Sequence, residues 1–350
     1  MPFCELILGR LHINPPVILA PMAGVTTATM RILCERAGAG ATFTEMISAP
    51  ATFRHVPAAL ALLCRSSSDK PFAVQIVGVD PHEMGYTAYV ASTRGAQWID
   101  INMGCPAKDI VGTGAGAALM RTPQRAEDIV RSVRESVPQD VVVTVKIRAG
   151  WDENSIVAPE FAVRMVTAGA QAVTVHGRTR SQMFSGHSNP EIIARVVKAV
   201  SVPVIANGDV TSADAAIKLL EQTHAAAVMI GRASWGNPWL FAACKARMEG
   251  RQEPTLPTYA DRIAAMREYI ATCVQLGSKR GGEVSIIEVQ KHLSWFSAFL
   301  PGGRTFRNSI FRIANIDGMY AVIDALETMC MQSERISDDS IELSIDIPYK

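Results

Sequence analysis

The sequence predicts a (β/α)₈ TIM barrel followed by a small all-α helical-bundle domain, and three observations carry the prediction. Eight short β-branched runs recur through the first two-thirds of the chain. Amphipathic stretches alternate with them, one strand-helix unit about every 25 to 40 residues. Beyond "GNPWLF" the strand signals stop and helical periodicity takes over.

The runs are "VILAPM" from Val17, "ATFTEM" from Ala41, "PFAVQIVG" from Pro71 and "WIDINMG" from Trp98, then "VVVTVKIR" from Val141, "AVTVHGR" from Ala172, "VPVIANGD" from Val202 and "AAVMIGR" from Ala226. Near-continuous apolar strands, buried on both faces, imply a parallel sheet. Between them, Gln124 to Val137 and Asn189 to Val200 read as amphipathic helices. Eight such units over about 240 residues favour a closed barrel over the alternative, an open doubly wound sheet. The polar, proline-containing "GRQEPTLP" from Gly250 reads as a linker. Three long amphipathic helices follow, four if the last breaks at Gly318. The expected domains are residues 1–249, a barrel, residues 250–335, a helical domain, and residues 336–350, an acidic tail.

Composition narrows the setting. With 48% hydrophobic and 19% charged residues the chain has the make-up of a folded globular protein. Its seven cysteines, at 4, 34, 64, 105, 244, 273 and 330, include no C-x-x-C pair. That argues against a disulfide framework or a metal site and fits a reducing cytoplasm. The amino terminus lacks a basic region and cleavage site, and no apolar run approaches the roughly 20 residues that span a bilayer, so no membrane association is expected. A net charge of +1 gives no whole-molecule hint of nucleic-acid binding.

In a barrel the carboxyl ends of the strands build the active site, so the residues closing each run matter most. They are unusually polar. In order they are Pro21-Met22-Ala23-Gly24, Glu45, Gln75, Asn102-Met103-Gly104-Cys105-Pro106, Lys146 and Arg148, His176-Gly177-Arg178, Asn207-Gly208-Asp209, and Gly231-Arg232. Gly208 and Gly231 follow strands seven and eight, where small residues let backbone N–H groups approach a phosphate; either glycine alone would do no more than turn the chain. Lys146 lies inside an apolar strand and needs a negative partner. That partner is either a barrel carboxylate, Asp100 or Glu45, or the electron-rich edge of a cofactor ring. Gln75 and Asn102 serve the same ring or the substrate, or are satisfied core amides. His176 is a neutral donor to cofactor or substrate, or a core histidine bonded to backbone. Cys105, followed by proline at a strand end, stands on a loop over the barrel mouth, where a thiol near pKa 8.5 suits a general acid. Gly112, Gly114 and Gly116 after it fit either phosphate binding or a flexible loop.

The ordered set "APMAG", "TEM", "VQIVG", "DINMGCP", "VKIR", "VHGRT", "VIANGD" and "MIGRA" resembles the flavin-dependent tRNA-dihydrouridine synthases, in particular their bacterial B-type branch. The resemblance covers both domains, since "QKHLSWF" and "RTFRN" look like that family's carboxyl-terminal RNA-binding bundle. It implies FMN held by Pro21, Met22, Ala23, Gln75, Lys146, His176, Asn207, Gly208, Asp209, Gly231 and Arg232. It implies NADPH as reductant, hydride from flavin N5 to C6 of a flipped-out D-loop uridine, and a proton from Cys105 to C5. Asn102, Arg178, Lys291, His292, Arg304 and Arg307 are expected to contact the tRNA, the only partner of a monomeric, metal-free enzyme. Two positions depart from the family pattern. Lys108-Asp109 puts the lysine one place early before Ile110, and Gln290 stands where arginine is common.

Two other readings compete. A flavin barrel acting on a small metabolite, in the manner of dihydroorotate dehydrogenase, gives the helical domain no task. An RNA-binding protein that keeps the barrel as a scaffold gives the cysteine, lysine and glycine set none. Residues 251 to 312 hold nine Lys/Arg against five Asp/Glu, whereas residues 313 to 350 hold two against eight. Basic charge gathered in the first part of the helical domain favours an RNA substrate.

Overall fold

A computed structural model describes residues 4–63, 65, 70–280 and 284–337. Two three-residue strands, β1 (Leu6–Leu8) and β2 (Leu11–Ile13), form an antiparallel hairpin. Eight strands then close a parallel barrel in chain order: β3 (Val17–Leu19), β4 (Ala41–Ser48), β5 (Phe72–Val77), β6 (Trp98–Met103), β7 (Val142–Arg148), β8 (Val173–His176), β9 (Val204–Asn207) and β10 (Ala227–Ile230), with β10 pairing back to β3. Every run read as a strand from the sequence is one of these eight.

Helices cover the barrel between strands, and their ends follow local chemistry. The helix Pro123–Glu135 starts on a proline, whose missing N–H is no loss in the first turn, and buries Ala126, Ile129, Val130 and Val133 at helical spacing. The helix Pro190–Ala199 begins the same way, with the Asn189 side chain accepting the Glu191 N–H at 2.9 Å. Both lie within two residues of the ranges expected.

The hairpin was not expected, because two strands of three residues carry too little periodicity to stand out. Gly9, at φ +56°, takes the first turn position between them. The inward residues Leu6, Leu8, Leu11 and Ile13 pack against Ile18, Phe43, Trp98 and Met229 among others, mostly from the starts of the barrel strands. The hairpin thus floors the amino end of the barrel, each buried aliphatic side chain contributing roughly 1.5–3 kcal/mol. The carboxyl end is left as the mouth.

The chain divides into two compact units: residues 1–233 with 240–254, and residues 234–239 with 255–350. The first is the barrel. The second contains the helices Tyr259–Arg280, Ile286–Phe296, Gly303–Ile310 and Ile316–Ser337. The break in the last predicted helix falls before Ile316, where Asn315 Oδ1 caps the Gly318 N–H at 2.8 Å, so Gly318 lies in a first turn. Arg267 joins the first and last of these helices through Asp324 at 2.6 Å and Glu327 at 2.7 Å. The segment 234–239 packs within this unit, Trp235 stacking on Trp295 at 4.9 Å. Gly236 touches the backbone of helix Ile286–Phe296 so closely that a Cβ would lie 2.4 Å from the Trp295 carbonyl carbon. The acidic tail lies outside the described residues from position 338 onward.

Candidate active site

The polar strand ends share the barrel mouth because of register. Across neighbouring strands Gln75 pairs with Asp100, Asp100 with Thr144, Asn102 with Lys146, Arg148 with His176, and His176 with Asn207. Within β6 and β7 the period of two places Asp100 and Asn102, and Thr144, Lys146 and Arg148, on one face.

Cys105 is half-buried on the loop after β6 and is held from both sides. Its N–H donates to Asn102 Oδ1 at 2.9 Å, and its carbonyl accepts the Ala117 N–H at 3.0 Å. Gly116, at φ +60°, passes so near that a Cβ would sit 2.7 Å from the Cys105 oxygen. This glycine therefore serves close packing beneath the cysteine. The Arg148 Nε donates to the Gly104 carbonyl at 2.9 Å, and its Nη1 to the carbonyls of Thr179 and Met183 at 2.7 and 2.8 Å. Of the other described cysteines, Cys34, Cys244, Cys273 and Cys330 are buried and Cys4 is exposed. Burial pushes the Cys244 thiol up to about 12.

Lys146 Nζ donates to Asn207 Oδ1 at 2.9 Å. It makes no ion pair with Asp100 or Glu45 among the described residues; Glu45 instead accepts the Gly24 N–H. Burial and the neighbouring Arg148 lower Lys146 to about 8, while Asp100 and Cys105 act in the opposite sense. Asn207 is fixed in turn, its Nδ2 donating to the Met229 carbonyl at 2.8 Å.

His176 is buried, and burial together with Lys146, Arg148, Arg178 and Arg232 holds its pKa well below the usual value. Arg178 Nη1 lies 3.4 Å from His176 Nε2, and a guanidinium only donates, so Nε2 accepts and the ring proton is assigned to Nδ1. Asp209 receives Arg178 at 2.8 and 2.9 Å, the Ser188 N–H at 2.8 Å and Arg232 at 3.7 Å. Burial raises its pKa, but these hydrogen bonds and charges outweigh it and the net shift is downward. Gly208, at φ +130°, and Asp209, at φ +52°, turn the chain sharply out of β9. A Cβ on Gly208 would lie 2.2 Å from Ser188 Oγ, so only glycine fits. At Gly231 a Cβ would meet Met22 Sδ at 3.8 Å, an ordinary contact, with no closer atom among the described residues. Pro21 and Met22 are half-buried and Ala23 is exposed.

Two expected substrate contacts are corrected. Arg178 is 2% exposed, and its five N–H donors are engaged by Asp209, His176 and the carbonyls of Ser185 and Gly186. It is a brace for Asp209 with no donor left for a ligand. His292 is 0% exposed, stacked on Tyr269 at 4.5 Å and edge-on to Trp295 at 4.8 Å. It is a core ring of the second unit. Lys291, one place earlier, is half-buried with Nζ 5.6 Å from the Trp295 ring centroid. Arg304 is exposed and Arg307 half-buried, one turn apart on helix Gly303–Ile310. Gln290 is buried and donates to the Ile313 carbonyl at 2.8 Å, so its departure from arginine serves packing within the helices. Lys108 and Asp109 are exposed on a short helix.

Sequence reasoning missed a second feature on loops at the same end of the barrel. The guanidinium groups of Arg121 and Arg180 both lie over the Trp151 ring, at 4.6 and 4.9 Å from its centroid, and Arg121 and Trp151 line a cavity of about 370 Å³. The three come from loops after different strands, so no local pattern announces them.

Comparison with known proteins agrees with this geometry. A family model described as dihydrouridine synthase (Dus) matches residues 18–332. The chain is 39% identical to tRNA-dihydrouridine synthase B of Pseudomonas aeruginosa, over 90% of this chain and 94% of that one. It is 38% identical to a probable tRNA-dihydrouridine synthase of Rhodobacter capsulatus, over 83% and 88%. Among solved structures, histamine dehydrogenase from Rhizobium sp. 4-9 shares the fold, with a TM-score of 0.57 at 13% identity over 77% of this chain and 50% of that one. The matched span, from the first barrel strand to the last helix, and the identity over nine-tenths of a full-length relative lead to one assignment: the chain belongs to the tRNA-dihydrouridine synthase family.

Proposed function

We propose that this chain is an FMN-dependent tRNA-dihydrouridine synthase that uses NADPH to reduce the C5–C6 double bond of a D-loop uridine. The observation that carries the reading is the surplus of positive charge facing a loop thiol. Lys146, Arg148, Arg178 and Arg232 act on His176, against the carboxylates of Asp209 and Asp100. Four cations against these two acids and Glu45 still leave a positive surplus, a mouth suited to an anion such as a cofactor phosphate. The other donors fit a planar ring: two Lys146 N–H bonds lack an acceptor among the described residues, and His176 carries its proton on Nδ1.

FMN bound there and reduced by NADPH supplies the hydride that reaches C6 of the uracil. Lys146 compensates negative charge on the ring, and the Asn207-Gly208-Asp209 and Gly231-Arg232 turns hold the phosphate. Pro21, Met22, Ala23 and Gln75 line the ring. Hydride addition at C6 leaves an electron pair at C5, and the Cys105 thiol gives its proton there, the thiolate then regaining a proton from solvent. The basic and aromatic surface of Arg121, Trp151 and Arg180 suits a nucleic-acid substrate better than a small metabolite. Lys291, Arg304 and Arg307 of the helical unit take tRNA phosphates. One chain carries all of these groups, so the working unit is a monomer, in the cytoplasm with its tRNA.

The test is nucleoside mass spectrometry of tRNA, mapped by position, from cells with and without the protein. Loss of dihydrouridine from the D-loop is expected, and unchanged dihydrouridine overturns the reading. The purified protein should be yellow and release FMN on denaturation.

A further inference from the structure

A chain of hydrogen bonds runs from the barrel interior to the cysteine loop, and its direction is fixed at both ends. At the inner end the Trp98 indole N–H only donates, and it donates to Thr144 Oγ1 at 2.9 Å. The Thr144 hydroxyl sends its own proton onward to Asp100 Oδ1 at 2.6 Å. At the outer end the backbone N–H groups of Cys105 and Gly104 donate to Asn102 Oδ1 at 2.9 and 3.2 Å. Asn102 must then present Nδ2 to Gln75 Oε1, at 2.8 Å, and Gln75 must present Nε2 to Asp100 Oδ2, at 2.7 Å.

Two runs of donors meet at Asp100, and only a group that accepts on both sides closes them with every buried proton bonded. A carboxylate does so; a neutral amide of the same shape accepts on one side only. Asp100 is 0% exposed and Gln75 is 1% exposed, so bulk solvent cannot repair a mismatch.

The geometry points to Asp100 as the positioning residue of the Cys105 loop: its carboxylate, acting through Gln75 and Asn102, sets the amide polarity that holds the Cys105 backbone at the end of β6. Its catalytic importance rests on the proposed role of Cys105 as proton donor, but the positioning itself does not. Burial raises Asp100 to about 6, against the lowering effect of its two hydrogen bonds and of Lys146, so at neutral pH it is mainly the double acceptor that the chain needs.

Asp100→Asn leaves one buried donor unmatched: either the Thr144 hydroxyl, if the new Nδ2 turns to Thr144 Oγ1, or, the outcome expected, the loop amides after the chain inverts. With Thr144 still donating to the new Oδ1, the new Nδ2 faces Gln75, whose amide turns over to accept it. Asn102 turns in response and puts its NH₂ against the N–H groups of Gly104 and Cys105. Adding Gln75→Glu restores the directions, because the introduced carboxylate accepts from both neighbours and Asn102 returns to its first orientation.

The readout is amide hydrogen exchange in peptides spanning Met103 to Ala107, followed by mass spectrometry on protein without tRNA. Asp100→Asn should speed exchange of these amides at least tenfold, and Asp100→Asn with Gln75→Glu should return it to the wild-type rate. Thr144→Val leaves the chain from Asp100 outward intact and should lower Tm without exposing these amides. Wild-type exchange in Asp100→Asn overturns the proposal. So does a double variant that fails to regain protection, whether by exchange or by not folding. A Thr144→Val protein as exposed as Asp100→Asn would show general loosening and also overturn it. If Asp100→Asn does not fold alone, the double variant decides: folded and protected supports the proposal, folded and exposed ends it. Wild-type protein that shows the protection yet reduces no uridine removes the proposed function and leaves the positioning standing.

Discussion

His176 at the barrel mouth and His292 in the helical unit are both buried imidazoles with lowered pKa values, and they reach that state in opposite surroundings. His176 sits among four cations, with a guanidinium on one ring nitrogen. His292 sits among aromatic rings, lowered to about 3 by burial and by Lys291, and neither ring nitrogen has a hydrogen-bond partner among the described residues. The first region directs polar groups and keeps charge in surplus for something that binds. The second uses a histidine as a flat ring. A buried polar residue thus marks a site when its partners are organised and its charge is unbalanced, and mere burial of a titratable group does not.

The sharpest way to break that contrast is at the mouth. Cys105→Ala should slow uridine reduction by roughly 10²- to 10⁴-fold, the range of a single general acid, while FMN content and NADPH oxidation hold. Single-turnover assays on unmodified tRNA measure this, and a wild-type rate would make the thiol structural. Lys146→Met removes a charge without filling space differently, and flavin reduction should slow on the order of 10- to 10²-fold, or flavin should be lost on gel filtration. Unchanged flavin content and rate would assign the lysine to its Asn207 bond alone.

In the helical unit, the prediction separates surface from core. Changing Lys291, Arg304 and Arg307 together to Glu should weaken tRNA binding on the order of 10- to 100-fold near physiological salt. It should also flatten the slope of log K against log salt by about 0.7 to 0.9 for each phosphate that is no longer neutralised, with flavin reduction by NADPH unaffected. His292→Phe should do the reverse, leaving tRNA binding alone and stabilising the protein by roughly 1–3 kcal/mol, because two unsatisfied buried nitrogens disappear. The sign of the pH effect follows from the lowered pKa. Above 6.5 the unfolded and folded states are both neutral at this residue; as pH falls from 6.5 toward about 3 only the unfolded state gains the proton, and stability is lost. At pH 5 that loss is roughly 2 kcal/mol, and His292→Phe should abolish this part of it in thermal melts.

The barrel was legible in the sequence because its strands are short, β-branched, largely apolar runs that end in polar residues or glycine, and the position of Cys105 could be read the same way. Other features depend on which side chains meet across strands. Asp100 reads only as one of two candidate ion-pair partners of Lys146 until register sets it beside Gln75 and Thr144. Arg178 looks like a substrate cation until Ser185, Gly186 and Asp209 are seen to take its donors. His292 misleads because it follows Lys291, yet consecutive residues on a helix point about 100° apart, and here one faces outward and the other the core. Gln290 and the Arg121–Trp151–Arg180 stack were likewise hidden, since their partners come from segments far away in the chain.

The hairpin that floors the barrel also sets an order on the ribosome. Leu6 to Ile13 are made before any barrel strand, yet the apolar partners they need run from Ile18 to Met229. Roughly 200 residues lie between, so at 5–20 residues per second the hairpin waits on the order of 10 to 40 s for its last partners. During that wait the nascent chain carries an unpaired strip of leucines and an isoleucine, an opportunity for chaperones and a liability in crowded overexpression.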